Sequence, residues 1–393
     1  MIRRDVNQLK TILAFAGIIA LSALFFNISP VIVGAAADNR GFSNQQLGML
    51  MVPGMCAKVL ISLLLSFWVR RINRKLLLFG GVCAFFGYIF AAFTTSYTIL
   101  LMALGIAGVG TGILYCISMA CLGATKNPDR GFGFSQLFQS ILMVIGFYAV
   151  PIWISPIWGL TGVFMLLAMA VVLAVALIAF FSVTGKQNID IGAQHNNQAV
   201  QVKQLSSAIM AMAALFIFNL GLNGFWVFYE RIATNTGYTT ESIAITLSTS
   251  VGIGTLGAFL PILVYNRINR NTMIIAIGLI FILVMAGLIN IFNESVFWVL
   301  SVLFQACWCA ILAYMFASIA AEDRYGKIVI LIPAIYSLSS LIASAIAGYV
   351  YNYGHIVFLT YTTSMVFVSI MFWAVLRKRP SENICSKTYN PLR

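Results

Sequence analysis

Charge is what this sequence has least of. Only 8% of its 393 residues are Asp, Glu, Lys or Arg, against roughly 25% in ordinary soluble domains. That is too little charge to cover a water-facing surface, which excludes a soluble globular protein. Acidic residues number 10 and histidines 2. No paired carboxylates and no His/Asp cluster fall at a common depth, so the groups that a membrane-embedded enzyme would need are missing. His195 lies in a polar stretch and His355 near an apolar run's end, so neither reads as an intramembrane proton relay. The seven cysteines form no CxxC and no His/Cys metal spacing, so neither a disulfide framework nor a metal site is expected. Cys56, Cys83, Cys116, Cys121, Cys307 and Cys309 fall inside apolar runs and read as small apolar fillers, while Cys385 lies near the C-terminus. Gly105, Gly108, Gly110 and Gly112 are followed by no Lys-Ser/Thr pair and are no phosphate loop. Their spacing suits close helix packing instead. No cofactor is expected, and with no nucleotide-binding loop the energy for any work must come from a gradient.

What is abundant is apolar length. Apolar residues make up 61% of the chain, in runs long enough to cross the ~30 Å hydrocarbon layer as helices. Twelve spans can be drawn, at 11–34, 44–69, 76–95, 97–123, 132–155, 157–184, 205–229, 241–265, 272–292, 296–320, 328–351 and 356–376. The first run is too long for a signal peptide and lacks a small-residue cleavage site, so it reads as an uncleaved span. The one long polar break, 185–204, reads as a linker between a first bundle over 1–184 and a second over 205–376, with 377–393 as a tail. All Lys and Arg except Arg40, Arg231 and the mid-span Lys58 fall on one side of these spans. By the positive-inside rule that side, with both termini, is cytoplasmic. The net charge of +13 follows from this asymmetry, and no nucleic-acid partner is needed to explain it.

The chain also repeats itself. Arg71-Ile72-Asn73-Arg74 returns 196 residues later as Arg267-Ile268-Asn269-Arg270. In the same register Gly41-Phe42-Ser43-Asn44-Gln45 meets Gly237-Tyr238-Thr239-Thr240-Glu241, and Asn27 meets Asn223. Two diverged copies of one six-helix half are implied.

Twelve spans in two halves, a central polar stretch and a repeated basic turn after spans 2 and 8 resemble the major facilitator superfamily. The family's turn reads G-x-x-x-D-R-x-G-R-[KR]. Here Arg71, Arg74 and Lys75 match, while Ser66, Arg70 and Asn73 replace the aspartate and both glycines. The second copy keeps Arg267 and Arg270 and has Asn266 at the aspartate position. The antiporter signature of span 5 is absent, since Gly146 and Pro151 stand apart. The resemblance implies an all-α fold of two pseudo-symmetric six-helix bundles with alternating access. It gives Arg71, Arg74, Arg267 and Arg270 a conformational gating part, through helix C-termini or Asp129, Glu322 or Asp323. The other reading makes these arginines topology determinants only. The resemblance also implies a central cavity lined by spans 1, 4, 7 and 10 with help from 2, 5, 8 and 11.

The polar residues of those spans are the substrate-binding candidates. Lys58 lies well inside span 2, where a charge costs at least ~2.5–3.5 kcal/mol unless it meets water or a partner. No Asp or Glu sits at mid-depth to pair with it. Gly54 and Ser62, four residues either side, mark one small, polar face. Lys58 therefore coordinates an anion, exchanges a proton, or is tied to helix carbonyls. Asn27, just before Pro30, and Asn223, among Gly221 and Gly224, suggest helices interrupted at matching places. Tying helices together is their alternative part. Tyr115, with Thr111 and Ser118 on its face, joins Gln139, Trp226, Gln305, Trp308 and Tyr336 as binding candidates, each equally readable as packing. Glu230, beside Arg231 at the outer end of span 7, is the second coupling candidate after Lys58.

The expected function is secondary active transport of a small organic solute, anionic or amphipathic, across a bacterial inner (plasma) membrane. Expected partners are the solute, the bilayer and a coupling ion, H+ or Na+, with the chain a monomer. A proton-coupled multidrug or metabolite exporter, a membrane-embedded enzyme and a non-transporting receptor are the alternatives.

Overall fold

The computed structural model describes residues 8–68, 74–123, 128–178, 198–235, 237–260, 264, 268–288, 293–322 and 332–376. Arg71, Arg267 and Asp323 lie outside this set, as do the side chains of Asp129 and Glu322. So do most of the 185–204 stretch and the 377–393 tail.

Span 1 is two helices, α1 (Leu9–Asn27) and α2 (Ser29–Arg40), separated at Ile28. Pro30 stands in the first turn of α2 and has no N–H to carry the helix through. Span 2 is also divided, into α3 (Asn44–Met49) and α4 (Val52–Trp68). The unbroken run expected there is corrected by Pro53, which cannot donate to the carbonyl of Met49. Then come α5 (Arg74–Phe93), α6 (Tyr97–Gly123) and α7 (Pro128–Ala149). A π-helical turn, Val150–Ile154, leads into α8 (Ser155–Ile178). The second half holds α9 (Gln198–Asn235), α10 (Thr240–Gly254) with a 3₁₀ turn Thr255–Phe259, and α11 (Arg270–Gly287). It ends with α12 (Glu294–Glu322), α13 (Ile332–Val350) and α14 (His355–Leu376).

Among the described residues eleven stretches are long and apolar enough to cross a membrane, one of them the 46-residue Gly133–Ile178. A straight helix of that length would reach about 69 Å, twice the hydrocarbon thickness. Gly159 reverses it, at φ 59° and ψ −155°, a region open essentially to glycine alone. The stretch therefore makes two crossings, which brings the described residues to twelve. A Cβ at Gly159 would also stand 3.1 Å from the Asn39 side-chain oxygen. Asn39 is held there by donating to Ser155 Oγ and to the Ala35 carbonyl. Gly159→Ala is expected to lower stability by about 1–3 kcal/mol, read as a lower Tm of the purified protein with unchanged helix content.

The duplication extends to turn geometry. Gly41 and Gly237 both take positive φ, 61° and 87°. The residues two further on, Ser43 and Thr239, both cap the next helix, accepting from the backbone N–H of Gln46 and Ser242. The aromatic between them packs on the start of a later span in each half, Phe42 on Tyr97 and Tyr238 on Phe297. Within the first half α6 lies between α4 and α5 through glycines. A Cβ at Gly108 would meet Gly54 Cα at 2.5 Å, and Gly110 abuts Gly80 and Ala84. The small-residue spacing of span 4 is thus a packing device, as expected.

Candidate functional site

Among the described residues the halves meet through α3 and α4 on α13, α2 on α9 and α7 on α10, beginning where the 41–43, 237–239 and 351–354 connections lie. The closest crossing is of α3 with α13, where a Cβ on Gly48 would come to 2.5 Å from the Ser344 carbonyl oxygen and 2.8 Å from Gly348 Cα. Asn44 Nδ2 donates to Asn352 Oδ1 at 3.1 Å beside it. α2 lies on α9, and here Arg231 reaches across to Asp38 at 3.0 Å. The neighbouring Glu230 is not that arginine's partner. Its side chain is turned inward, 8% exposed, facing Gly34. One carboxylate oxygen accepts from Thr234, and the other has no hydrogen-bond partner among the described residues. α7 meets α10 lower down, where Ser248 donates to the Val144 carbonyl and Thr255 to Ser140.

Below this closure polar side chains from both halves gather at mid-depth. Lys58 is fourteen residues from Asn44 (58 − 44), about 21 Å along a helix. Its backbone is positioned by Gly112, where a Cβ would stand 3.3 Å from Lys58 Cα. Its ammonium lies 5.6 Å from the ring centroid of Tyr115, one turn further along α6, a cation–π distance. The adjacent Cys116 thiol hydrogen-bonds with Ser62 and feels the lysine's field. No carboxylate pairs with Lys58 among the described residues. Lys58, Tyr115 and Cys116 each keep part of their surface accessible.

Tyr336 of α13, from the second half, stands in the neighbourhood of Tyr115 and of Cys309 of α12. Its ring also packs edge-on against Phe26 of the first half, two residues before the break at Ile28 in span 1. The Tyr336 hydroxyl points to Asn223 Oδ1 at 3.4 Å, and Asn223 Nδ2 donates to Ser340 at 2.7 Å. Asn27 donates to Gln139 at 3.1 Å, and Gln139 in turn donates to Ser135. Each asparagine of the symmetric pair thus ties its own half together, span 1 to span 5 and span 7 to span 11. The interruption expected in span 7 is corrected. α9 runs through Asn219, Gly221, Asn223 and Gly224 unbroken, because no proline removes a donor there and its glycines bed on α13 and α14.

The structure places the other candidates less centrally. Trp226 is 1% exposed and sits among Phe147, Tyr229 and Trp308, with ring centroids 5.5, 6.1 and 4.9 Å away. Gln305 packs on Gly254 and donates to Cys309, leaving its carbonyl oxygen without a partner among the described residues. Arg74 and Arg270, the described members of the repeated basic turn, are exposed at the starts of α5 and α11. Sequence reasoning missed Asp38, Gly34, Gly48 and Gly348, the residues that close one side. Their signal was the same spans 1, 2, 7 and 11 already marked as cavity-forming.

The chain is similar in fold to solved transporters. A D-xylose-proton symporter aligns at TM-score 0.72 and 14% identity, covering 92% of this chain and 96% of that one. The xylose transporter XylE from E. coli, partially occluded and inward open, gives 0.71 and 15%, covering 93% and 97%. The nucleoside transporter NupG gives 0.66 and 13%, covering 94% and 98%. No curated protein matches the sequence. The family model described as Major Facilitator Superfamily matches residues 14–304, close to three quarters of the chain, and the protein is a member of that superfamily.

Proposed function

We propose that the protein is a secondary transporter that moves a small organic solute by alternating access, binding it between the halves at mid-membrane. One observation carries this reading. Among the described residues the halves join through α3 and α4 on α13, α2 on α9 and α7 on α10, and partly accessible polar residues of both halves, Lys58, Tyr115 and Tyr336, lie at that junction. A polar site at the junction of two repeats is what rocking halves require. The excess of Lys and Arg at the opposite ends of the spans supports an outer position for the 41–43, 237–239 and 351–354 connections and cytoplasmic termini, in a bacterial inner membrane. The chain acts as a monomer, each copy holding a whole site.

Xylose and nucleosides carry no net charge, and the unpaired Lys58 speaks for a different solute, anionic or amphipathic. The buried carboxylate of Glu230 at the outer closure supports a proton-coupled exporter as the second reading. It stands where opening would hydrate it, so its protonation and the opening are linked. Proteoliposomes carrying the protein are expected to show counterflow, the transient accumulation of labelled solute against a preloaded unlabelled pool, at least tenfold above protein-free vesicles. If organic anions, neutral solutes and cations all fail while the reconstituted protein still melts cooperatively, the transporter reading falls.

A further inference from the structure

The geometry points to a small organic monocarboxylate as the solute, its carboxylate held at Lys58 and its body against Tyr115 and Tyr336. This rests on the transporter reading and names the substrate class of its site. Lys58 is the one charged side chain at mid-depth among the described residues. An unpaired ammonium in a low-dielectric interior favours one negative charge. A second charge would have no partner there. A phosphate monoester carries about −1.5 to −2 at pH 7 and would overshoot a single lysine. Phosphate sites also commonly use the planar fork of arginine, and no arginine stands at this depth among the described residues. A carboxylate matches in charge.

The surroundings describe the rest of the solute. Tyr115 lies under the ammonium, and its face offers an apolar surface beside the charge. Tyr336, brought by the other half, is braced by Phe26 on one side and by Asn223 at its hydroxyl. A carboxylate on Lys58 with a planar or aliphatic body between the two tyrosines would touch both halves at once, as a rocking transporter needs. Asn27, Gln139 and Asn223 spend amide hydrogen bonds within their own halves. That leaves the lysine as the dominant polar contact, which disfavours a polyhydroxylated neutral solute.

The test compares charge classes on the wild-type protein first, where no variant has to fold. Thermal melting of purified protein is followed at constant ionic strength with benzoate, hippurate and hexanoate. Controls are the neutral amides of the same three acids, with phthalate and phenyl phosphate as dianions. At least one monocarboxylate is expected to raise Tm saturably, with its amide and both dianions at least tenfold weaker. Lys58→Gln should weaken the monocarboxylate at least tenfold, and Lys58→Arg should restore most of it. Equal binding of the amide, tighter binding of a dianion, no shift with any of the three acids, or unaltered affinity in a folded Lys58→Gln protein would overturn the inference. Counterflow of whichever acid binds, and of the neutral and cationic solutes, corrected for protein-free vesicles, separates the two levels. Saturable binding of the acid without counterflow of any of these solutes keeps the anion site and removes the transport reading. Counterflow of neutral solutes with no carboxylate binding does the reverse.

Discussion

Gly48→Val is expected to force the outer side open and to cut counterflow by at least tenfold. At this position α3 and α13 cross backbone to backbone. The first added carbon alone would come to 2.5 Å from the Ser344 carbonyl oxygen and 2.8 Å from Gly348 Cα, inside any tolerable contact. Two helix backbones cannot give way as a flexible side chain can, so the relief available is separation of the halves. Overpacking of this kind costs about 1–3 kcal/mol. Applied to only one of two states, that shifts their ratio roughly 5–150-fold. Spin labels at Gln45 and Tyr353, exposed on opposite halves of this side, should report a longer distance in the variant. A wild-type distance distribution with normal counterflow would show that the crossing does not control the closure. Gly348→Val should behave alike, since its own Cβ would meet Asn44 O at 2.7 Å and Gly48 Cα at 3.0 Å.

Trp226→Ala is expected to be the most destabilising single substitution in the second half, by about 3–5 kcal/mol. The indole is 1% exposed and forms edge contacts with Phe147 of the first half and Trp308 of α12. Phe225, Phe304, Phe281 and Phe218 continue the cluster inward. Within lipid the loss is mainly one of dispersion contacts and a void that neighbours cannot fill. Melting of the purified protein should show it as a lower Tm at every solute concentration. A variant that keeps its Tm and loses solute binding would instead return Trp226 to the cavity wall.

That substitution also marks how far the sequence could be read. The spans were plain, because a lipid environment demands long apolar runs and this chain has twelve. The repeat was equally plain, and its turns kept cap and glycine alike. The breaks were less so. Pro30 was recognised beside Asn27, but Pro53 lies in an apolar run whose hydropathy hides it, and Asn223 suggested an interruption that its neighbouring glycines do not cause. Among site residues, Lys58 stood out because charge at depth is rare, and the structure sets it over Tyr115 with no carboxylate partner among the described residues. Asn223 and Trp226, three residues apart, could each have lined a cavity or filled a core. Only the partner helices decide, and Ser340 and Trp308 lie more than 80 residues away along the chain. The closure at Gly48 and Gly348 carried no sequence signal of its own, since 31 glycines share that appearance.

The uneven breaking of the two halves has a mechanical consequence. α2, with 12 residues, and α3, with 6, are set off from the rest of their spans by local breaks at Ile28 and at Leu50–Met51. The helices they press against, α9 and α13, are continuous. One side of the seam is therefore two short flaps hinged on their own spans, and the other is a pair of stiff struts. Flaps of this size can lift by local bending, without turning a whole bundle, so leakage or slippage past the outer closure would begin at the first half's edge. Stiffening those hinges would slow the cycle without touching any residue that meets the solute.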